Sequence, residues 1–545
     1  MRNPSNLAVL LSLSAVEVVS ANFDWYERGE IFRAASPYSK IGMSVATSHN
    51  GKIVSVASPQ YSKETYYGKR NGAVRSYIYG QDETMNTTGS ISTNTDGSEN
   101  TLWFPLGPEL LGEEYQEFGK VLDLSSSGFV LAVGSPTADV GGVKSAGQVQ
   151  MFVLDHTGTE TEWVPMGNMI TGVVPFDETG SAVALSVNGK IVAVGSPGFD
   201  VVGNEFEKVE AGQVQVYQYM NMEAQWRPMG DALVGIASFD RFGSAIGMSD
   251  DGLRLAIGSP DGGANRAGYV QVVQFDNTTG EWTNMGITLL GSENGDKFGS
   301  SVSMSASGNR FVVGAPRHRG PNSKYHAGQV RTFQWDDTSD TWDTLGFELY
   351  GLSDGDELGT SVDMASNGNS FIVGAPKSTR NGNKNCGHAV VYYWSSSDNT
   401  WDKMGFDIEG NESFDGLGQS VSISGDGLEV IIGAPDGGYA LSYHLLETRA
   451  PTQAPVNDPK SRGPSLGVRR FGKFMQIMII LAIVTLALFG ALKGYQYLKR
   501  KREMRSIPVP GNDLEMTADD AVRMSIESDL RRAQDDSSKS ENEIL

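Results

Sequence analysis

The chain has 545 residues, with 43 Lys and Arg against 65 Asp and Glu, and its net charge of −22 comes without a concentrated basic face, which excludes nucleic acid as a partner. A single cysteine, Cys386, rules out an intrachain disulfide, so a body of this size must be held by packing.

The N-terminus carries Arg2, an apolar run from Leu7 to Val16, and small residues at Val19, Ser20 and Ala21. This pattern predicts a signal peptide over residues 1–21 cleaved after Ala21, since the run is too short to span a bilayer.

Residues 22–446 repeat a unit of about 60 residues with three markers. The first is Trp-x3-Gly, beginning at Trp25, Trp103, Trp163, Trp226, Trp282, Trp342 and Trp401. The second is a Gly followed 17 residues later by the Pro of a Gly-Ala/Ser-Pro or Ala-Ser-Pro triplet: Gly42 and Pro59, Gly119 and Pro136, Gly180 and Pro197, Gly243 and Pro260, Gly299 and Pro316, Gly359 and Pro376, Gly418 and Pro435. The third is a Gly opening an apolar alternation, at 72, 147, 212, 268, 328, 387 and 438. Within a unit, Ser301 to Ser305, the turn at Gly308 and Phe311 to Gly314 read as strand, turn, strand. A third strand spans Gly328 to Trp335, and the Trp342 segment is the fourth. Four short antiparallel strands, seven times over, predict an all-β, seven-bladed β-propeller. The series starts with a fourth-strand element at Trp25 and ends with a third-strand element at Gly438 to Leu446, so the N-terminal strand is expected to close the ring.

Beyond the repeats, Pro451, Pro455, Pro459 and Pro464 predict an extended stalk over residues 447–473. Residues 474–492 hold no charge over 19 positions and predict one transmembrane α-helix. Lys499, Arg500, Lys501, Arg502 and Arg505 follow it and outweigh the basic residues ahead of it. This bias places the tail, 493–545, in the cytoplasm and the repeats outside: a single-pass type I membrane protein, assigned to the plasma membrane. The tail reads as mostly disordered; Val522, Ile526 and Leu530 recur every four residues after Thr517, a helical spacing that suits docking of a cytoplasmic partner, with a merely solvated tail as the alternative. Three sequons, at Asn86, Asn277 and Asn411, are expected glycosylation sites on the outer portion.

Phe-Gly at 118–119, 242–243 and 298–299, with Gly-Ala-Pro at 314–316, 374–376 and 433–435, resembles the FG-GAP repeat that builds the propeller heads of integrin alpha chains. The resemblance covers nearly the whole outer portion, and it implies the seven-bladed fold and a ligand face formed by the loops joining second to third strands and fourth to first. The chain departs from that family in three respects. Asp-rich calcium loops are replaced by turns such as Asp250-Asp251-Gly252 and Gly425-Asp426-Gly427, which offer too few oxygens for a calcium ion, so no metal or other cofactor is expected. Asp250, Asp251 and Asp426 are expected to set their turns instead. Leg domains are absent, and Lys493-Gly494-Tyr495 stands where the family has Gly-Phe-Phe-Lys-Arg.

The six histidines form no motif at metal-ligand spacing, and no nucleophile elbow or phosphate loop is present. The expectation is therefore a non-enzyme: a cell-surface adhesion or recognition receptor that binds a protein or glycan through one propeller face. The alternatives are a membrane-tethered enzyme with a propeller-channel site, or a structural cell-wall anchor. Candidate ligand-contacting residues are Tyr61, Tyr66, Tyr67, Phe199, Arg317, His318, Arg319 and Tyr325, on loops of variable length. Cys386 fills a slot that is Ala in four other repeats and reads as a buried small residue, against the alternative of a reactive thiol.

Overall fold

The computed structural model describes residues 22–33, 39–62, 70–80, 102–157, 161–202 and 207–448. The predicted signal peptide, stalk beyond Thr448, membrane span, tail, and the candidates Tyr66, Tyr67 and Asn86 lie outside them. Among the described residues no helix is long and apolar enough to cross a membrane.

Seven antiparallel sheets form a seven-bladed β-propeller, each built in the spatial order inner, second, third, outer strand. Blade 5 is typical: Ser301–Met304 pairs with Arg310–Ala315, which pairs with Gln329–Asp336, which pairs with Thr341–Thr344. The inner strands run round the axis, each against those of both neighbouring blades, with Val45–Thr47 meeting Ser420–Ile423. Second strands such as Val130–Ser135 and Ile191–Ser196 are buried along their whole length, because both faces are covered by adjacent blades. Each blade also has a fifth strand of two residues, such as Leu349–Tyr350, which returns beside the start of the third strand. The sequence reading of four strands missed it, since two residues carry no periodicity.

The seventh blade is made from both ends of the chain. Asn22–Glu27 pairs with Tyr439–Thr448, with Trp25 opposite Leu445, and Phe32–Arg33 pairs with the same strand. The last strand runs to Thr448, two residues past the boundary read from the sequence.

The Trp-x3-Gly marker clasps each blade to the next. Every one of the seven indole N–H groups donates to a carbonyl of the preceding blade at 2.7–3.0 Å: Trp25 to Met404, Trp103 to Arg28, Trp163 to Leu106, Trp226 to Met166, Trp282 to Met229, Trp342 to Met285 and Trp401 to Leu345. Each accepting residue immediately precedes the Gly of its own marker. That Gly must be bare: at Gly29, Gly107, Gly167, Gly230, Gly286 and Gly346 a Cβ would come within 2.6–3.1 Å of the next blade's indole Cδ1.

The second marker is a backbone contact between blades. A Cβ on Gly134, Gly195, Gly258, Gly314, Gly374 or Gly433 would lie 1.9–2.2 Å from the carbonyl oxygen of Gly180, Gly243, Gly299, Gly359, Gly418 or Gly42 respectively. At one end of the axis the turns after the inner strands close a ring of seven backbone hydrogen bonds. It runs from His49 through Ser126, Val187, Asp250, Ala306, Ser366 and Gly425 back to His49, at 2.8–3.1 Å.

Candidate functional site

At the other end lie the loops joining second to third strands and those joining one blade to the next. They form one face because backbone bonds stitch them together: Phe176 N–H to Lys144 O, Phe239 N–H to Val209 O, Gly355 N–H to Tyr325 O and Phe414 N–H to Lys384 O, all at 2.8–3.0 Å. Ion pairs add to the stitching, with Arg241 between Glu178 (2.5 Å) and Glu210 (3.1 Å), and Lys377 on Glu357 at 2.8 Å.

The loops leading into blades 3 to 7 carry a buried Asp three residues before the marker Gly, which binds backbone N–H groups of its own loop; ahead of blade 2 the same place is taken by Gln116, whose side-chain oxygen accepts the N–H of Glu113. Asp177 takes the N–H groups of Val173 and Val174, Asp356 those of Leu352 and Ser353, and Asp240 that of Ala237. One residue earlier the backbone is left-handed. Blades 5 and 6 place glycine there, Gly295 and Gly355, at φ 75° and 74°. The equivalent residues ahead of blades 2, 3, 4 and 7 are Tyr115, Phe176, Phe239 and Phe414, at φ 64°, 68°, 65° and 70°. Their side chains stand 64%, 54%, 46% and 58% exposed. Left-handed backbone costs a bulky L-residue about 1 kcal/mol that glycine avoids. Val173 and Ile236, on the same loops as Phe176 and Phe239, are exposed as well.

The residues proposed from sequence are distributed differently. Arg317 and Arg319 are exposed, and Tyr325 is exposed and stacked on His326 with centroids 3.7 Å apart. Burial, followed by the charge of Arg317, lowers the His326 pKa. His318, by contrast, is buried, and points inward to Asp296. Tyr61 and Phe199 are half-buried and occupy the slot equivalent to His318, two residues after the Pro, where the carbonyl accepts the N–H of the third-strand Gly. All three anchor their loops. The exposed aromatic positions were not selected from sequence, although aligning the repeats on the marker Gly brings them into one column. Asn277 and Asn411 are exposed, Asn277 in a turn between third and outer strands and Asn411 on the loop that carries Phe414. Asp251 and Asp426 each accept a Ser hydroxyl and a backbone N–H within their own turn. Cys386 is fully buried, its thiol pKa raised by that burial, and the equivalent Ala146, Ala211 and Ala327 are also buried.

Along the axis the inner strands of all seven blades line a cavity of about 300 Å³. The position four residues after the marker Gly faces it: Ala46, Asp123, Ala184, Gly247, Ser303, Asp363 and Ser422. The two carboxylates latch neighbouring blades. Asp123 accepts from Leu185 N–H at 2.7 Å and Leu124 N–H at 2.8 Å. Asp363 accepts from Ile423 N–H, Met364 N–H and the hydroxyls of Ser303 and Ser422, at 2.8–3.1 Å. Both keep some surface toward the cavity but sit far from bulk water. Desolvation pushes Asp123 up to about 7 and raises Asp363.

Scanned against models of known protein families and against curated proteins, the chain matches none.

Proposed function

We propose that this chain is a cell-surface recognition or adhesion receptor that binds a protein or glycan ligand through the stitched-loop face of its propeller. In this reading it is a glycosylated single-pass type I protein whose repeats resemble FG-GAP repeats, integrin alpha-like in the head alone, with a tail free to engage a cytoplasmic partner. One observation carries the reading: aromatic rings are held exposed at left-handed positions where the same fold uses glycine in two blades. A side chain that costs the fold energy and faces solvent is retained for something other than folding. Exposed aromatics on rigidly held loops are also the residue type that dominates recognition.

The test compares cells displaying the full chain with cells displaying Phe176→Gly/Phe239→Gly, probed with intact cells and extracted wall material. The double variant is expected to lose at least about tenfold in affinity. Its melting temperature is expected at or above that of the parent, because glycine relieves the left-handed strain. Undiminished binding would rule out this face.

A second reading, a membrane-tethered enzyme with a channel site, draws on Asp123 and Asp363, two carboxylates from different blades lining one cavity. Against it, both carboxylates are already engaged by N–H or hydroxyl donors of neighbouring blades. Loss of ligand binding in Asp363→Ser, with Phe176→Gly/Phe239→Gly unaffected, would favour the channel.

A further inference from the structure

We propose that the inter-blade loop leading into blade 5 holds a divalent cation of the zinc class between Glu293, Asp296 and His318. Among the described residues these three form a group whose candidate ligand atoms all lie within 4.8 Å of one another. The site stands on its own geometry and does not depend on the recognition reading.

Asp296 has a structural duty shared with its counterparts in other blades, accepting the N–H groups of Glu293 at 2.6 Å and Ser292 at 3.1 Å. What distinguishes blade 5 is the imidazole brought against it. The slot two residues after the Pro holds Tyr61, Ala138, Phe199, Gly262, Ser378 and Gly437 in the other blades, and His318 only here. Where another blade places a side-chain donor on this Asp, the hydrogen bond is well made: Tyr269 O–H to Asp240 at 2.9 Å and Tyr439 O–H to Asp415 at 2.7 Å.

His318 behaves otherwise. It is 6% exposed, its Nδ1 stands 3.1 Å from Asp296 Oδ2, and it makes no hydrogen bond in that position. A buried ring nitrogen left this way costs about 1–3 kcal/mol unless something else engages it. Two ligands each about 2.0–2.2 Å from a tetrahedral zinc ion sit about 3.3–3.6 Å apart, so the ring nitrogen and the Asp296 carboxylate need move only slightly to share one. The N–H groups of Glu293 and Ser292 and the Ser292 hydroxyl, at 3.4 Å, all fall on Asp296 Oδ2, so of the carboxylate's roughly four acceptor directions those of Oδ1 are left for a cation.

Glu293 completes the set. Its backbone is pinned by the N–H bond to Asp296, while its side chain is exposed and can swing onto the ion, leaving the outer side for water. Arg331, which feels the charge of Asp296, is turned toward Glu348 at 3.6 Å, and Lys297 is paired with Asp261. One nitrogen and two carboxylates suit zinc better than calcium, which takes six or more oxygens.

The experiment strips the purified full chain with chelator, dialyses it against zinc, and counts bound metal beside Glu293→Gln and His318→Gln. The expected result is one zinc per chain more in the parent than in either variant. Cobalt loading of the parent is expected to give a visible d–d band that Glu293→Gln lacks. Glu293 is on the surface, so that variant should melt like the parent, and it keeps the test decisive if His318→Gln fails to fold. Equal zinc content in the parent and Glu293→Gln would overturn the proposal.

Discussion

Gly314 and Gly382 show how differently two glycines in one chain can be constrained. A Cβ on Gly314 would sit 2.0 Å from the carbonyl oxygen of Gly359 in the next blade, so neither backbone can yield without parting the blades. Gly382 lies in a loop at φ 85° with open space around it. Gly314→Ala is therefore expected to cost roughly 3 kcal/mol by overpacking, and Gly382→Ala about 1 kcal/mol of backbone strain, as read from denaturant midpoints. Asp123 supports a second prediction at this scale. Burial raises its carboxyl from the usual 3.8 to about 7, so the folded state holds a proton that the unfolded state has released across that window. The stability this contributes is complete below about pH 4 and is lost as the pH rises toward 7. His388, lowered to about 3 by burial, acts in the opposite sense, losing stability as the pH falls below its unfolded value of 6.5. The measurement must therefore be a difference: from pH 8 to pH 5, melting of the parent should gain on that of Asp123→Ala. A pH-independent gap would refute the assignment.

At the scale of elements, the closing strand is the informative case. Asn22–Glu27 supplies the outer strand of a blade whose other strands lie some 400 residues further on, and its Trp25 donates to Met404 of blade 6. Removing residues 22–33 takes away that strand, the pairing of Phe32–Arg33 and the carbonyl of Arg28 that holds Trp103. The truncated protein is expected to lose cooperative melting, and a soluble truncation with a sharp transition would count against the closure argument. The repeats made this pairing legible because a leftover fourth-strand motif at one end matched a missing one at the other. The same reading overlooked Leu349–Tyr350 and its equivalents, since a two-residue strand is defined only by the partner it lies beside.

At the scale of the whole molecule, seven indole clasps and seven turn-to-turn hydrogen bonds each form an uninterrupted circle. An open array of repeats can melt from its ends, whereas a closed ring has none, so a single transition is expected in calorimetry. Successive blade-by-blade transitions would contradict this. The sequence by itself determined the blade count, the strand order and the closure, because each rests on a covalent spacing repeated seven times. It also placed Cys386 in a buried slot, since the alanines of other repeats mark that position as small. Only the tertiary structure decided which loop residues face solvent. His318, Tyr61 and Phe199 carry the residue types expected of a contact surface, yet the turn after the Pro directs His318 into the fold and half-buries the other two. Phe176 and Phe239 are turned outward by a left-handed backbone that no composition or periodicity encodes. The grouping of Glu293 and Asp296 with His318 belongs to the same class: the histidine lies 22 residues from Asp296 and reaches it only because an intervening hairpin folds back. Spacing along the chain is inherited by the fold, while proximity and direction across loops are made by packing.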